Sequence, residues 1–116
     1  MNYEIEREIR MAKGRDNDYC VEMYESILRL ENLEQCRLFF QDLCSMTELT
    51  AMEQRYTVAK MLYEGRVYTE IGNETHASSA TISRVNRMLN YGENALREVF
   101  DKEKEEKEKE EKEKEG

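Results

Sequence analysis

Six side chains that can bind nucleic acid lie close together in the second half of this sequence. They are four hydroxyl-bearing residues and two arginines: Ser78, Ser79, Thr81, Ser83, Arg84 and Arg87. Arginine hydrogen-bonds to guanine edges and to phosphates, and hydroxyl groups and helix N-termini bind phosphate oxygens. The stretch from Ala77 to Gly92 contains no acidic residue, although the whole chain has a formal net charge of −8. This pattern predicts a surface that binds double-stranded DNA.

Two short helices are needed to present these side chains to a DNA groove. The sequence predicts one helix over residues 69–75 and a second, capped by Ser78 or Ser79, that ends near Tyr91. A helix-turn-helix consists of such a pair joined by a tight turn, with the second helix in the major groove. We therefore predict a helix-turn-helix over about residues 68–87.

Individual residues of this segment meet the steric demands of the motif. Gly72 is small enough for the second helix to cross the first, and His76 falls at the turn, where a left-handed conformation is needed. Histidine is enriched among the non-glycine residues that adopt a positive φ. Ile71, Ile82 and Val85 provide apolar anchors for the inner faces. The alternative is a plain pair of short helices in a bundle, because helix-turn-helix patterns are loose.

The rest of the sequence predicts an all-α fold. There is no proline, and apolar residues recur at helical spacing along most of the chain. We predict three helices before the short pair: Tyr19 to Glu31, Asn32 to about Ser45, and Thr50 (or Thr47) to Glu64. Asn32 and Thr50 each stand three residues before a Gln or a Glu, which is the spacing of a capping box. A sixth helix is expected to begin near Glu93.

Composition divides the chain into three parts. Residues 1–18 form an N-terminal arm or a short helix, residues 19–100 form the helical domain, and residues 101–116 form a low-complexity Glu/Lys tail. The tail has no apolar side chain and cannot contribute to a core. Its Glu and Lys residues four apart leave two alternatives, a solubilising tail or a frayed extension of the last helix.

Composition also argues against several classes of protein. No apolar run reaches the ~20 residues that cross a bilayer, and the charged N-terminus lacks the apolar centre of a signal peptide, which predicts a cytoplasmic protein. Cys20, Cys36 and Cys44 form no C-x-x-C pair and His76 is the single histidine, so neither a metal nor a cofactor is expected. No enzymatic activity is predicted, because there is no glycine-rich phosphate loop and no nucleophile–base pair at a mechanistic spacing.

The excess of acidic over basic residues leaves open one function other than DNA binding. Affinity for DNA comes largely from neutralising phosphates, whereas this chain has 26 acidic residues and 18 basic ones. The same helices could form a protein-interaction module that does not bind DNA. Binding to duplex DNA at low salt distinguishes the two functions.

Four segments resemble the Trp repressor superfamily, and more closely its YerC/YecD type. They are Leu49-Thr50, the stretch QRYTVAKMLYEG, the segment TEIGNE, and ATISRVNRML, whose first five residues are close to the family's ATITR. The resemblance covers about residues 19–100. It implies a six-helix fold, an intertwined homodimer, and a bacterial repressor that places two recognition helices in successive major grooves. Apolar residues beyond the needs of a compact monomer agree with a dimer: Ile27, Leu28, Leu30, Phe39 and Phe40.

The resemblance also implies where an effector would bind. Family members that respond to tryptophan hold it between two arginines, which match Arg55 and Arg84 in this sequence. Val85 stands where those repressors have glycine, and Met88 stands where they have a serine that holds the ligand's amino group. These differences predict that tryptophan is not the corepressor of this protein. Arg55 has an alternative interpretation as an exposed helix charge.

Overall fold

The computed structural model describes residues 19–115, and this part of the chain is helical with no strand. Its six helices are α1 (Val21–Leu28), α2 (Leu33–Leu43), α3 (Met46–Tyr63), α4 (Tyr68–Thr75), α5 (Ser79–Tyr91) and α6 (Ala95–Glu115). The predicted all-α class with six helices is confirmed. The helices divide into two compact units, one that ends at Cys44 and one that begins at Ser45. The predicted N-terminal arm, residues 1–18, lies outside the described residues.

The first unit contains α1 and α2. α1 ends at Leu28, earlier than the predicted Glu31, with Arg29 as its C-cap. Before α2, the Asn32 side chain accepts a 2.9 Å hydrogen bond from the backbone N–H of Gln35, which confirms Asn32 as the N-cap. Neither helix contains a residue that is buried within the chain.

The third helix begins earlier than predicted. Ser45 Oγ accepts a 3.2 Å hydrogen bond from Glu48 N–H, and Glu48 Oε1 accepts a 2.9 Å bond from Ser45 N–H, which completes a capping box. The predicted starts at Thr50 and Thr47 are wrong, because both residues lie inside α3. Ser45 and Glu48 have the same spacing as Thr50 and Glu53, and the earlier of the two pairs sets the start. The hydrogen bonds from the Ser45 backbone and side chain lower the pKa of Glu48.

The core lies in the second unit, where α3 packs against the three helices that follow it. Its buried side chains are Val58, Ala59, Met61, Ile71, Ala77, Ile82, Val85, Leu89 and Phe100. Phe100 of α6 is 1% exposed, and its ring centroid lies 5.5 Å from that of Tyr56 and 5.3 Å from that of Tyr63. Aromatic pairs at such distances contribute about 0.5–1.5 kcal/mol beyond burial. Phe100 therefore anchors α6 to α3.

The last helix, α6, continues without a break into the Glu/Lys tail. It starts at Ala95, shortly after the predicted Glu93, and runs for 21 residues. Asn94 precedes it in a left-handed conformation with φ of 67°. The sequence left open a solubilising tail or an extension of the last helix, and in the structure the tail extends the last helix. Across residues 19–115, no helix is long and apolar enough to span a membrane.

Polar contacts fix the first turns of this extension to α3. Tyr63 donates a hydrogen bond to Asp101, which raises the pKa of the tyrosine. Lys60 and Lys107 both form ion pairs with Glu103, and they lower the pKa of that carboxyl to about 2. The Glu103 side chain is 33% exposed, whereas every later residue of α6 is exposed. The start of the tail thus belongs to the packed unit.

Candidate nucleic-acid interface

The first helix of the predicted motif, α4, follows a change of chain direction after α3. Gly65 makes this turn with φ of 82°, a conformation that favours glycine. Arg66 then binds two carboxylates of α4, Glu70 at 2.9 Å and Glu74. Its hydrogen bonds to Glu74 and Glu70 raise the pKa of Arg66. Ile71 is fully buried, as predicted, and anchors α4 to the core.

Hydrogen bonds fix the turn between α4 and α5. His76 adopts the predicted left-handed conformation, with φ of 62°, and its N–H donates to Gly72 O at 2.9 Å. The Thr75 hydroxyl accepts a hydrogen bond from Ala77 N–H. From α3, the half-buried Gln54 side chain donates a 3.1 Å hydrogen bond to Thr75 O. The turn is therefore held both within the motif and from α3.

The two helices of the motif approach each other closely at Gly72. A Cβ atom at this position would lie 3.6 Å from Ala77 O and 3.9 Å from Ile82 Cδ1, which are ordinary van der Waals distances. The space accepts one methyl group, whereas a longer side chain would meet the turn backbone or the Ile82 side chain. Gly72 is thus the small crossing residue that the sequence predicts.

A side-chain cap begins α5. Ser78 Oγ accepts a 3.1 Å hydrogen bond from Thr81 N–H and donates a 3.0 Å bond to the Thr81 hydroxyl. Of the six residues predicted to bind DNA, these two therefore already use their hydroxyl groups to start the helix. Ser79 is exposed next to them in the first turn.

Opposite sides of α5 differ strongly in burial. Ile82, Val85 and Leu89 are 2–3% exposed and face the core, which confirms the two predicted inner anchors. On the other side, five exposed residues follow one another at helical spacing: Ala80, Ser83, Arg84, Arg87 and Tyr91. We call these five residues the outward face of α5. Three of them are among the residues predicted to bind DNA.

The positive charge on the outward face has no internal partner. Among residues 19–115, Arg84 and Arg87 form no ion pair and no hydrogen bond. Unpaired guanidinium groups on one helix face are suited to bind guanine edges or phosphates. The sequence did not predict Ala80 and Tyr91 on this face. The helical spacing could have identified them, because Ala80 lies four residues before Arg84 and Tyr91 lies four residues after Arg87.

A polar chain along one flank of α5 connects its C-terminal half to α6. The Asn90 amide donates a 2.9 Å hydrogen bond to Asn86 Oδ1, and Arg97 of α6 donates a 2.9 Å bond to Asn90 Oδ1. The Arg97 guanidinium also lies 5.8 Å from the centre of the Tyr63 ring. These residues hold α5 in place, and the sequence did not predict them because they meet only when three helices pack.

The four residues predicted to surround an effector have different environments. Arg55 on α3 and Arg84 on α5 are both exposed, and no hydrogen bond or ion pair joins them. Met88 is 44% exposed. Val85, in contrast, is 2% exposed and packs with the core residues of α5. Its methyl groups occupy core space beside Arg84.

The described part of the chain offers no metal site. Its three cysteines are half-buried free thiols, and no three His, Cys, Asp or Glu side chains cluster in residues 19–115. His76, the single histidine of the sequence, is exposed at the turn. The exposed charges of α5 are therefore its two arginines, Arg84 and Arg87, whereas α4 exposes the carboxylates Glu70 and Glu74, both paired with Arg66.

Comparison with known proteins agrees with this geometry. The family model described as Trp repressor protein matches residues 20–104, which include the whole motif and the first turn of the tail. The chain belongs to the Trp repressor family. The resemblance seen in the sequence is thereby confirmed, as is the Trp-repressor-like fold class.

Individual relatives of this Trp repressor family protein support the same conclusion. The uncharacterized protein YerC of Bacillus subtilis (strain 168) is 46% identical over 98 residues, which cover 84% of this chain and 91% of YerC. A TrpR-like protein from Eubacterium eligens ATCC 27750 matches with a TM-score of 0.68 and 46% identity, over 70% of this chain and 84% of that one. A candidate Trp repressor from Staphylococcus aureus matches with a TM-score of 0.68 and 44% identity, over 72% of this chain and 83% of that one.

Proposed function

We propose that this protein is a transcription regulator that binds specific double-stranded DNA sequences and acts as a repressor. The observation that supports this most is the outward face of α5, which exposes two arginines without internal partners. Arg84 and Arg87 donate hydrogen bonds to guanine edges or phosphates, and Ser79 and Ser83 donate to phosphate oxygens. Membership of the Trp repressor family supports the regulatory role. The protein acts in the cytoplasm and is not an enzyme.

Residues that shape α5 assist this binding. Ser78 and Thr81 order the N-terminus of α5, where the free backbone N–H groups attract a phosphate. The turn at His76 and the close crossing at Gly72 set the angle between α4 and α5. In helix-turn-helix proteins, the second helix enters the major groove while the first crosses the backbone.

A homodimer is the proposed active form. Across residues 19–115, several large apolar side chains of α1 and α2 stay uncovered, with Leu28 and Leu33 each 84% exposed and Leu43 55% exposed. Large exposed apolar patches on soluble proteins mark interaction sites. A second copy covers them and brings two α5 helices to half-sites about 10–10.5 base pairs apart. A monodisperse 13.9 kDa species in light scattering at micromolar concentration would contradict the dimer.

DNA binding by this protein is proposed to be independent of tryptophan. An indole ring held between Arg55 and Arg84 needs the space that a glycine leaves beside the recognition helix. In this chain the corresponding residue is Val85, which carries two methyl groups and is 2% exposed in the core. Packing through Val85 then holds α5 without a bound ligand, and Met88 provides no hydroxyl for the amino group of an amino acid.

Selection of bound sequences from random duplex DNA tests the proposed function. We expect a two-fold symmetric consensus with guanine in each half-site, because operator symmetry mirrors the symmetry of a dimer. The control is the doubly substituted variant Arg84→Ala/Arg87→Ala, which should enrich no consensus.

A second candidate function is supported by the net charge of −8 and by the exposed apolar side chains of the first unit. These features suit a helical protein-interaction module without DNA binding. If folded wild-type protein retains no duplex DNA at low salt, the DNA-binding proposal fails and this second function is favoured.

A further inference from the structure

Tyr91 is the one aromatic residue among the five that form the outward face of α5. It is the last residue of the helix and is 85% exposed. It follows Arg84 by seven residues and Arg87 by four, so the three side chains lie along one line. Within residues 19–115 its side chain forms no hydrogen bond and no ring contact. The phenol group is therefore available to any molecule that lies along this face.

The end of α5 keeps Tyr91 exposed. A Cβ atom at Gly92 would lie 2.4 Å from Met88 O, so glycine at this position lets the chain leave the helix directly after Tyr91. No later turn of α5 covers the ring. Glu93 is the next acidic residue along the chain, and it lines a groove with Met88 and Leu96 at the end of α5.

The position of Tyr91 along the helix corresponds to the edge of a DNA groove. An α-helix rises ~1.5 Å per residue, so Tyr91 lies about 10 Å beyond Arg84 along the axis of α5. The major groove is about 12 Å wide, and the N-terminal residues of a recognition helix contact base edges inside it. With Ser83 and Arg84 over the bases, a residue about 10 Å further along reaches the groove wall, where the phosphates lie.

We infer that the Tyr91 hydroxyl donates a hydrogen bond to a backbone phosphate of bound DNA and completes the contact surface of α5. This inference rests on the proposed function. Tyrosine hydroxyls are among the groups that bind phosphates in protein–DNA complexes. A hydroxyl donor brings no positive charge to the phosphate, so its contact displaces no counterion. Phosphates are the same in every sequence, so Tyr91 contributes affinity and not sequence preference.

Fluorescence anisotropy with the full chain and labelled duplexes tests this inference. Tyr91→Phe removes one hydroxyl and keeps the ring, and Tyr56→Phe is the matched control because Tyr56 is 45% exposed on α3, outside both α5 and the proposed dimer interface. We expect Tyr91→Phe to weaken binding about five- to tenfold, for the selected operator and for random duplex alike. The dependence of its binding on salt should equal that of the wild type, and Tyr56→Phe should bind as tightly as the wild type.

Other results would overturn the inference in distinguishable ways. Unchanged affinity of Tyr91→Phe, together with weakened binding by Arg84→Ala, would remove Tyr91 from the interface and leave the proposed function intact. A loss confined to the operator would place Tyr91 at a base edge, and a changed molecular mass in light scattering would place it in a subunit interface. If neither Tyr91→Phe nor Arg84→Ala changes DNA affinity, the proposed function itself fails.

Discussion

Replacing Gly72 tests how closely α4 and α5 approach each other. In Gly72→Ala the new methyl group would lie 3.6 Å from Ala77 O and 3.9 Å from Ile82 Cδ1, so it contacts both atoms without overlap. Gly72 lies inside α4, and alanine is favoured over glycine in a helix by about 0.5–1 kcal/mol. The methyl group also gains partial burial against Ile82. We expect Gly72→Ala to stabilise the fold by about 1 kcal/mol.

Gly72→Leu should have the opposite effect. Its three further carbon atoms start from a Cβ that already contacts the Ala77 carbonyl and the Ile82 side chain, and we expect overpacking that costs about 1–3 kcal/mol. Thermal unfolding followed by circular dichroism measures both variants, since 1 kcal/mol shifts the Tm of a small domain by about 4–8 °C. Gly72→Ala should raise the Tm and keep DNA affinity, whereas Gly72→Leu should lower both. A destabilised Gly72→Ala, or a Gly72→Leu as stable as the wild type, would refute this crossing geometry.

Further substitutions test the remaining contacts. Arg84→Ala and Arg87→Ala should each weaken DNA binding in anisotropy titrations by about 1–3 kcal/mol if the side chain binds a base, and unchanged affinity of the folded variants would contradict this. Leucine in Gln54→Leu cannot donate a hydrogen bond to Thr75 O in the turn, so this variant should lower DNA affinity severalfold. If it lowers only the Tm and leaves DNA affinity unchanged, Gln54 stabilises the fold without a role in DNA binding. The pKa of Glu103 is about 2 when folded, below its ordinary 4.5, so its stabilisation is complete above about pH 5 and is lost as the pH falls towards 2. Glu103→Gln should therefore lower the Tm at pH 7 and lower it much less at pH 2. Deletion of residues 108–116 should leave the Tm unchanged. Equal Tm values for Glu103→Gln and wild type at pH 7 would refute this role of Glu103. Millimolar L-tryptophan should produce no heat in calorimetry and no rise in Tm, whereas a ligand at 100 times its Kd would stabilise by about 2.7 kcal/mol.

The short helices α4 and α5 and the turn between them could be predicted because their geometry depends on a few individual residues. A left-handed turn, a close crossing and an N-terminal cap each restrict the residue type at one position, and His76, Gly72 and Ser78 satisfy them. The start of α3 could not be predicted in the same way. Two capping patterns five residues apart, at Ser45 and Thr50, are equally good locally, and only the folded chain shows that the earlier one is used.

Hydrogen bonds and ion pairs between helices could not be predicted from the sequence pattern. Gln54 and the carbonyl it binds are 21 residues apart, and Lys60 and Glu103 are 43 residues apart. The Glu/Lys run looks uniform along the sequence, but only its first turns reach α3. Charge composition alone cannot show where such a helix leaves the packed unit. The same limit applies to Ser78 and Thr81, whose hydroxyl groups suit phosphates by type but bind each other in the cap.

The most direct test of the role of α5 removes single acceptor atoms from the DNA. Replacing one guanine of the selected operator with 7-deazaguanine eliminates the N7 atom that arginine binds in the major groove. We predict that at least one such replacement weakens binding by the wild-type protein, and that Arg84→Ala or Arg87→Ala is insensitive to the replacement at that position. If the wild type tolerates every replacement, or if both variants lose as much affinity as the wild type, the arginines of α5 do not read the bases and the central claim is contradicted.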